Sequence, residues 1–224
     1  MTKVIIVCTS ESDLGGHKTG LWLEELAVPY FLFRKKGYQV VICSTKGGEI
    51  PIDDASLQGD FFTATSKEFM EDELAMEKIK TSINIGTVDF KTVDAIYLTG
   101  GHGTCVDFVS SKELKAAIEL MYAADKVVAA ACHGPIGLAG CNKPDGTPLV
   151  AGKTVTGFTN SEEAAVQLTD KVPFLIETKF IEQGAKYEKG PDWGPKACVD
   201  GKLVTGQNPA SSEPCAKEVC KLLG

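Results

Sequence analysis

Four short apolar runs, "KVIIVC", "YQVVICS", "DAIYLTGG" and "KVVAAAC", recur between Lys3 and Cys132 with longer helical patterns between them. None alternates apolar with polar residues. A strand that is apolar at every position needs cover on both faces, and crossover helices between parallel strands supply it. The intervening segments fit that need. "GLWLEELAVPYFLFRKKG" reads as a helix closed by Gly37, and "SKELKAAIELMYAAD" as a helix capped by Ser110 or Ser111. The β-α-β rhythm specifies an α/β fold, a doubly wound sandwich around a mostly parallel central sheet.

Residues 45–90 interrupt the rhythm. A loop-rich stretch, "KGGEIPIDDASLQGD", precedes "TSKEFMEDELAMEKIKTS", which reads as one charged helix and makes this segment a small helical insertion appended to the sheet. After Cys132 the chain reads as strand-helix, helix-strand and hairpin-helix, with Asp200-Gly201 as the hairpin turn. No repeat or linker divides it, so residues 1–224 read as one domain. With 43% hydrophobic and 24% charged residues the chain falls in the globular class. A net charge of −7 argues against a nucleic-acid partner and against an anionic membrane surface. "MTKVIIVCTSES" reads as a first strand rather than a signal peptide, and no apolar run has the length of a membrane span, which implies a cytoplasmic protein. The eight cysteines form no C-x-x-C pair and no paired metal-ligand spacing, so no metal is expected. Those inside apolar runs read as small buried thiols.

In open α/β sheets ligands collect at the carboxyl ends of the strands. "GGHGT" (Gly100 to Thr104), "CHGP" (from Cys132) and "GFTN" (Gly157 to Asn160) all fall at such ends. Cys132 has small residues two positions to either side, Ala130 and Gly134, as a sharp strand-to-helix nucleophile elbow requires. A helix starting there would aim free N–H groups at the sulfur and lower its pKa. A buried structural cysteine fits the same spacing equally well. His133 has two readings, general base or backbone N–H donor to an oxyanion. "GGHGT" is neither a dinucleotide fingerprint nor a P-loop, and its glycines suit close approach of backbone N–H groups to a small oxyanion. Glu24 and Glu25 sit among apolar residues, so at least one carboxylate lies beside apolar surface, where its pKa would rise; periodicity does not choose between them. Thr159-x-x-Glu162 and Asn160-x-x-Glu163 both suit helix capping, a role compatible with orienting a histidine. Trp22 and Trp193 read as packing residues or pocket walls.

Taken together, "AAACHGPIGLAG", "GGHGT", "TGLWLEELAVPYFLFRKKGYQV", "GFTNSEEAAV" and "DGKLVTGQNPASS" resemble the ThiJ/PfpI superfamily from Lys3 to about Ser212, in particular its glutathione-independent glyoxalase (glyoxalase III) and heat-shock chaperone branch. The resemblance implies a flavodoxin-like sandwich, usually a homodimer, that needs no cofactor. Carried over position by position, Cys132 is the nucleophile, His133 its neighbour in a Cys-His-acid set, and Glu163 the acid that orients the histidine. Glu25, rather than Glu24, matches the glutamate that hydrogen-bonds the sulfur and shuttles protons. The backbones of Gly101 and His133 match an oxyanion hole, and His102 a loop histidine near the pocket. Cys105 stands where a larger apolar residue is familiar, which suggests a second thiol lining the pocket. The expected activity is conversion of methylglyoxal and related 2-oxoaldehydes to 2-hydroxy acids such as lactate. The alternatives are a stress-related holding chaperone that binds unfolded proteins, a protein deglycase, and a cysteine amidase or peptidase.

Overall fold

A computed structural model describes residues 1–224. Its strands are β1 (Lys3–Cys8), β2 (Asp13–Leu14), β3 (His17–Lys18), β4 (Gln39–Ser44), β5 (Ile83–Asn84), β6 (Ala95–Leu98), β7 (Val127–Ala131), β8 (Thr154–Val155), β9 (Lys186–Tyr187), β10 (Ala197–Asp200) and β11 (Leu203–Gly206). The helices are α1 (Leu23–Lys35), α2 (Ala64–Glu71), α3 (Glu73–Lys80), α4 (Thr104–Asp107), α5 (Lys112–Ala123), α6 (Asn160–Ala165), α7 (Ile176–Glu182) and α8 (Ser212–Leu223). Seven strands form the central sheet in the order β10-β11-β7-β6-β1-β4-β5. Every neighbouring pair is parallel except the β10–β11 hairpin. The sheet is therefore mostly parallel and wound on both faces, as the four apolar runs require.

The burial pattern explains why those runs do not alternate. Ile5 and Val7 of β1 pack into one apolar layer with α5, while Val4, Ile6 and Cys8 pack into the other with α1 and α8. Both faces of the strand are dry, so each position selects for an apolar side chain. Gly37 ends α1 at φ +77°, and the Ser111 hydroxyl caps α5 by accepting from the Leu114 N–H.

The segment 45–90 departs from the expected appendage in two ways. The single charged helix is two, α2 and α3, because the Asp72 side chain accepts from the Ala75 N–H and starts a new helix in mid-run. The segment also joins the sheet, since β5 pairs with β4 and Phe69 and Ile79 enter the core beneath α1.

Three strand-end loops are tied together by one buried side chain. Asp107, at the end of α4, accepts from the Thr9 hydroxyl (2.9 Å), the Ser10 N–H (2.7 Å) and the Thr45 hydroxyl (2.5 Å). Asp107→Ala would leave these donors without their acceptor, and we expect it to lower stability by about 2–3 kcal/mol, read as a fall in the urea midpoint at constant slope.

Candidate active site

Strand β7 ends where the carboxyl edge of the sheet meets α1, and Cys132 is the first residue past it. Its φ is +57°, a left-handed conformation uncommon for a residue with a side chain. The turn is held on both sides: the Cys132 N–H donates to the Gly206 carbonyl and the Cys132 carbonyl accepts from the Phe158 N–H. Only a glycine fits at 134, since a Cβ there would stand 2.5 Å from the Leu98 carbonyl oxygen. This is the geometry of a nucleophile elbow, in which strain at one residue aims its side chain away from the sheet. Beyond the elbow the chain forms a short 3-10 turn, Gly134–Leu138, rather than an α-helix.

Glu25 approaches the thiol from the first turn of α1. It is fully buried, its Oε2 accepts from the Gly100 N–H (2.7 Å), and its Oε1 has no hydrogen-bond partner. Burial pushes its carboxyl up to about 8. Burial, and then the neighbouring Glu25 carboxylate, push the Cys132 thiol up as well. That is opposite to the lowered thiol pKa expected from a following helix, because the turn after Cys132 is too short to supply a dipole that offsets burial. The Gly101 N–H pulls the other way. The charges of Cys132 and Glu25 are thus coupled.

His133 also meets the sulfur, with Nδ1 3.4 Å from Sγ. Its Nε2 is 2.8 Å from Glu163 Oε2, and His102 Nε2 is 2.8 Å from Glu163 Oε1. One carboxylate thus receives two imidazole N–H groups. Burial opposes its charge, but His133 and His102 hold Glu163 well below the usual carboxylate range. With His133 Nε2 against Glu163, Nδ1 is the nitrogen that faces the thiol. His102 is pushed down by burial and by His133, whose ring centroid is 3.9 Å away.

The paired glutamates of "FTNSEE" divide the two roles their spacing left open. Thr159 and Glu162 form the capping box of α6, and Glu163 turns to the histidines. Neither the Gly101 nor the His133 N–H donates to another backbone group, which leaves both available beside the sulfur. Gly101 reaches this position at φ +91°, against the backbone of Gly20 and Trp22.

Cys132, His133, His102 and Gly101 open onto a cavity of about 620 Å³ whose lining includes Trp22, Asp53, Phe61, Phe158 and Trp193, with Glu25 and Glu163 buried behind them. Cys105 is not among them; it is buried in the apolar layer under α5, so the expected second pocket thiol is absent.

Residues 19–222 match the model of the DJ-1/PfpI family. The chain belongs to that family. Over most of its length this DJ-1/PfpI chain is similar to glyoxalase 3 of Candida albicans, with 33% identity covering 98% of the chain and 97% of that relative. It is similar to a glutathione-independent glyoxalase of Saccharomyces cerevisiae at 34% identity, covering 96% and 94% respectively. Among solved structures, the Francisella tularensis Rapid Encystment Protein superposes with a TM-score of 0.95 at 37% identity over 100% of both chains. The glyoxalase III structure from Candida albicans gives 0.91 at 31% identity, covering 99% of this chain and 97% of that one.

In this DJ-1/PfpI site, His102, His133 and Glu163 place three donor atoms within 4.8 Å of one another. Each imidazole Nε2 is already paired with a carboxylate oxygen, so a cation held by both Nε2 atoms would have to replace both hydrogen bonds. Sequence reasoning missed Phe61 and Phe158 as pocket walls and Glu162 as more than a cap. No sequence signal distinguishes an aromatic facing a cavity from one in the core. Glu163→Gln turns one acceptor oxygen into an amide N–H, so it holds at most one of the two histidines in the same tautomer. We expect its kcat to fall about 10²-fold with little change in KM, measured by steady-state kinetics on any substrate of the site.

Proposed function

We propose that this protein is a cofactor-independent glyoxalase that converts methylglyoxal and related 2-oxoaldehydes to 2-hydroxy acids through Cys132. The observation that carries the reading is the convergence on one sulfur of a buried carboxyl near neutrality, an oriented histidine and two free N–H groups at the base of an apolar cavity. The names of the relatives support the same activity.

Each step draws on one of these groups. Cys132 Sγ adds to the aldehyde carbon as the C=O π bond opens. The thiol proton passes by way of His133 Nδ1 or Glu25 to the new oxygen, which the Gly101 and His133 N–H groups hold while it carries charge. The Glu25 carboxylate then takes the proton from that carbon, leaving an enediolate, and returns it to the neighbouring carbon while the hydroxyl proton of the first carbon passes to the oxygen of the second. The first carbon is oxidised by the electron pair that the second receives, so no external oxidant or reductant enters. The product is a thioester of the 2-hydroxy acid; water adds, the C–S bond breaks and the thiolate leaves. A carboxyl near 8 suits this shuttle because both of its protonation states are accessible at neutral pH.

The test is lactate formation from methylglyoxal by purified protein in a buffer free of glutathione. Wild type should form lactate continuously, and its absence sinks the reading.

Three further parts belong to the proposal. The chain acts as a homodimer, to be read by light scattering. All eight cysteines are unpaired, which suits a reducing compartment such as the cytoplasm. Phe61 and Trp193, about half exposed at the cavity, and Leu74, 69% exposed, offer apolar surface to unfolded chains. Suppression of aggregation of a denatured client should then survive loss of the Cys132 sulfur.

A further inference from the structure

Resting on the glyoxalase reading, we propose that the site is built for 2-oxoaldehydes bearing a bulky, uncharged, apolar group, an aryl ring above all, with Trp193 as the wall that selects it. A cavity of about 620 Å³ lies in the range of sites that enclose drug-sized ligands. The methyl group of methylglyoxal occupies a small share of that space.

The walls match an aromatic occupant on two sides. Phe158 lies against the His133 ring at 4.2 Å between centroids and meets Trp193 edge-on at 5.9 Å, so apolar surface runs from the reacting histidine outward. On a second wall Trp22 and Phe61 meet edge-on at 5.1 Å. Phe61 is 53% and Trp193 47% exposed, so the packing of the chain leaves much of both rings uncovered. Edge-to-face and offset contacts with an entering ring would cover them.

Trp193 is held in place by a dedicated device. Its backbone sits at φ +63°, unfavourable for a bulky residue, and its N–H donates to Glu162 Oε1 at 2.8 Å. The same oxygen accepts from Gln207 Nε2 (3.0 Å) and Asn208 Nδ2 (2.8 Å), while Oε2 accepts from the Thr159 N–H and hydroxyl. Glu162 is fully buried, and no Lys, Arg or His pairs with it. A buried charge held only by five such donors fixes the loop that carries Trp193, and strain of this kind persists where the surroundings over-determine it.

Charge narrows the class further. Glu24, Asp53, Asp54 and Asp60 line the cavity; no arginine does, and the only lysine, Lys18, is paired with Asp54. An anionic substituent would meet carboxylates without a free cation. The same rim repels the carboxylate product once it forms.

The test compares kcat/KM for phenylglyoxal, 4-carboxyphenylglyoxal and methylglyoxal in wild type, Trp193→Gly and Phe61→Ala, with thermal melts to show that each variant is folded. Glycine is chosen at 193 because it accepts the positive φ. We expect wild type to favour phenylglyoxal over methylglyoxal by about tenfold, and to disfavour the carboxylated ring by about tenfold relative to phenylglyoxal. Both variants should lower the phenylglyoxal-to-methylglyoxal ratio at least about fivefold, mainly through KM. Turnover of methylglyoxal with no preference for phenylglyoxal, or with a ratio unmoved in both variants, overturns this inference and leaves the glyoxalase reading standing. Turnover of none of the three aldehydes overturns both.

Discussion

Cys132→Ala should reduce lactate formation from methylglyoxal by at least about 10⁴-fold while leaving the melting temperature near that of wild type. The size of the effect comes from the mechanism: without Sγ there is no hemithioacetal, and Glu25 then faces an aldehyde carbon whose hydrogen is not acidic enough to remove. The small effect on stability comes from the site. The sulfur is buried, but it sits at an elbow under strain (φ +57°) and beside a carboxyl group, so alanine loses few favourable contacts there. Cys132→Ser is a stricter control, because it keeps a hydroxyl in the same hydrogen bonds and still lacks a usable nucleophile. Steady-state kinetics without glutathione measure both variants.

Glu25→Gln should cost about 10²–10⁴-fold in kcat, the range typical of a lost general acid–base group. It should also change the shape of the pH profile. The carboxyl of Glu25 is pushed up by burial to about 8, so it is protonated at pH 6 and ionised at pH 10. Proton abstraction from the substrate carbon needs the carboxylate. Wild-type kcat/KM should therefore rise with pH and level off above about 8, and the midpoint belongs to the Glu25–Cys132 pair rather than to either group alone. Glutamine cannot ionise, so the residual activity of the variant should lack that limb. A limb of unchanged midpoint in the variant would assign the titration elsewhere.

Much of this arrangement is legible in the chain, and the parts that are not share a physical reason. The non-alternating runs at β1, β4, β6 and β7 identify a sheet covered on both faces because burial on both sides leaves few polar positions beyond the strand ends, such as Lys3, Gln39 and Ser44. Glycine at 134 and 101 marks close backbone approach, and the structure places a neighbouring carbonyl or main chain at each. By contrast, β5 is two residues long and pairs only through its backbone, which leaves no side-chain pattern to read. The break between α2 and α3 rests on one aspartate whose capping role competes with an otherwise continuous helical pattern. Cys105 shows the limit of reading chemistry from neighbourhood: it is one residue beyond "GGHGT", yet the turn of α4 carries it into the core. The direction of the thiol shift was illegible for a related reason. It depends on how deeply Cys132 is buried and on a carboxylate more than one hundred residues away in the chain, and spacing encodes neither.

The most direct test of the joint action of Cys132 and Glu25 takes one sample of folded Glu25→Gln protein and makes two readings on it. Lactate is measured after incubation with methylglyoxal in the absence of glutathione, and alkylation of Cys132 by iodoacetamide is followed by mass spectrometry. The expected result is a thiol that still reacts, together with lactate formation at least about 10²-fold below wild type. Lactate at the wild-type rate from this variant would contradict the joint mechanism, because the proton would then be moving between the two carbons without the residue assigned to carry it.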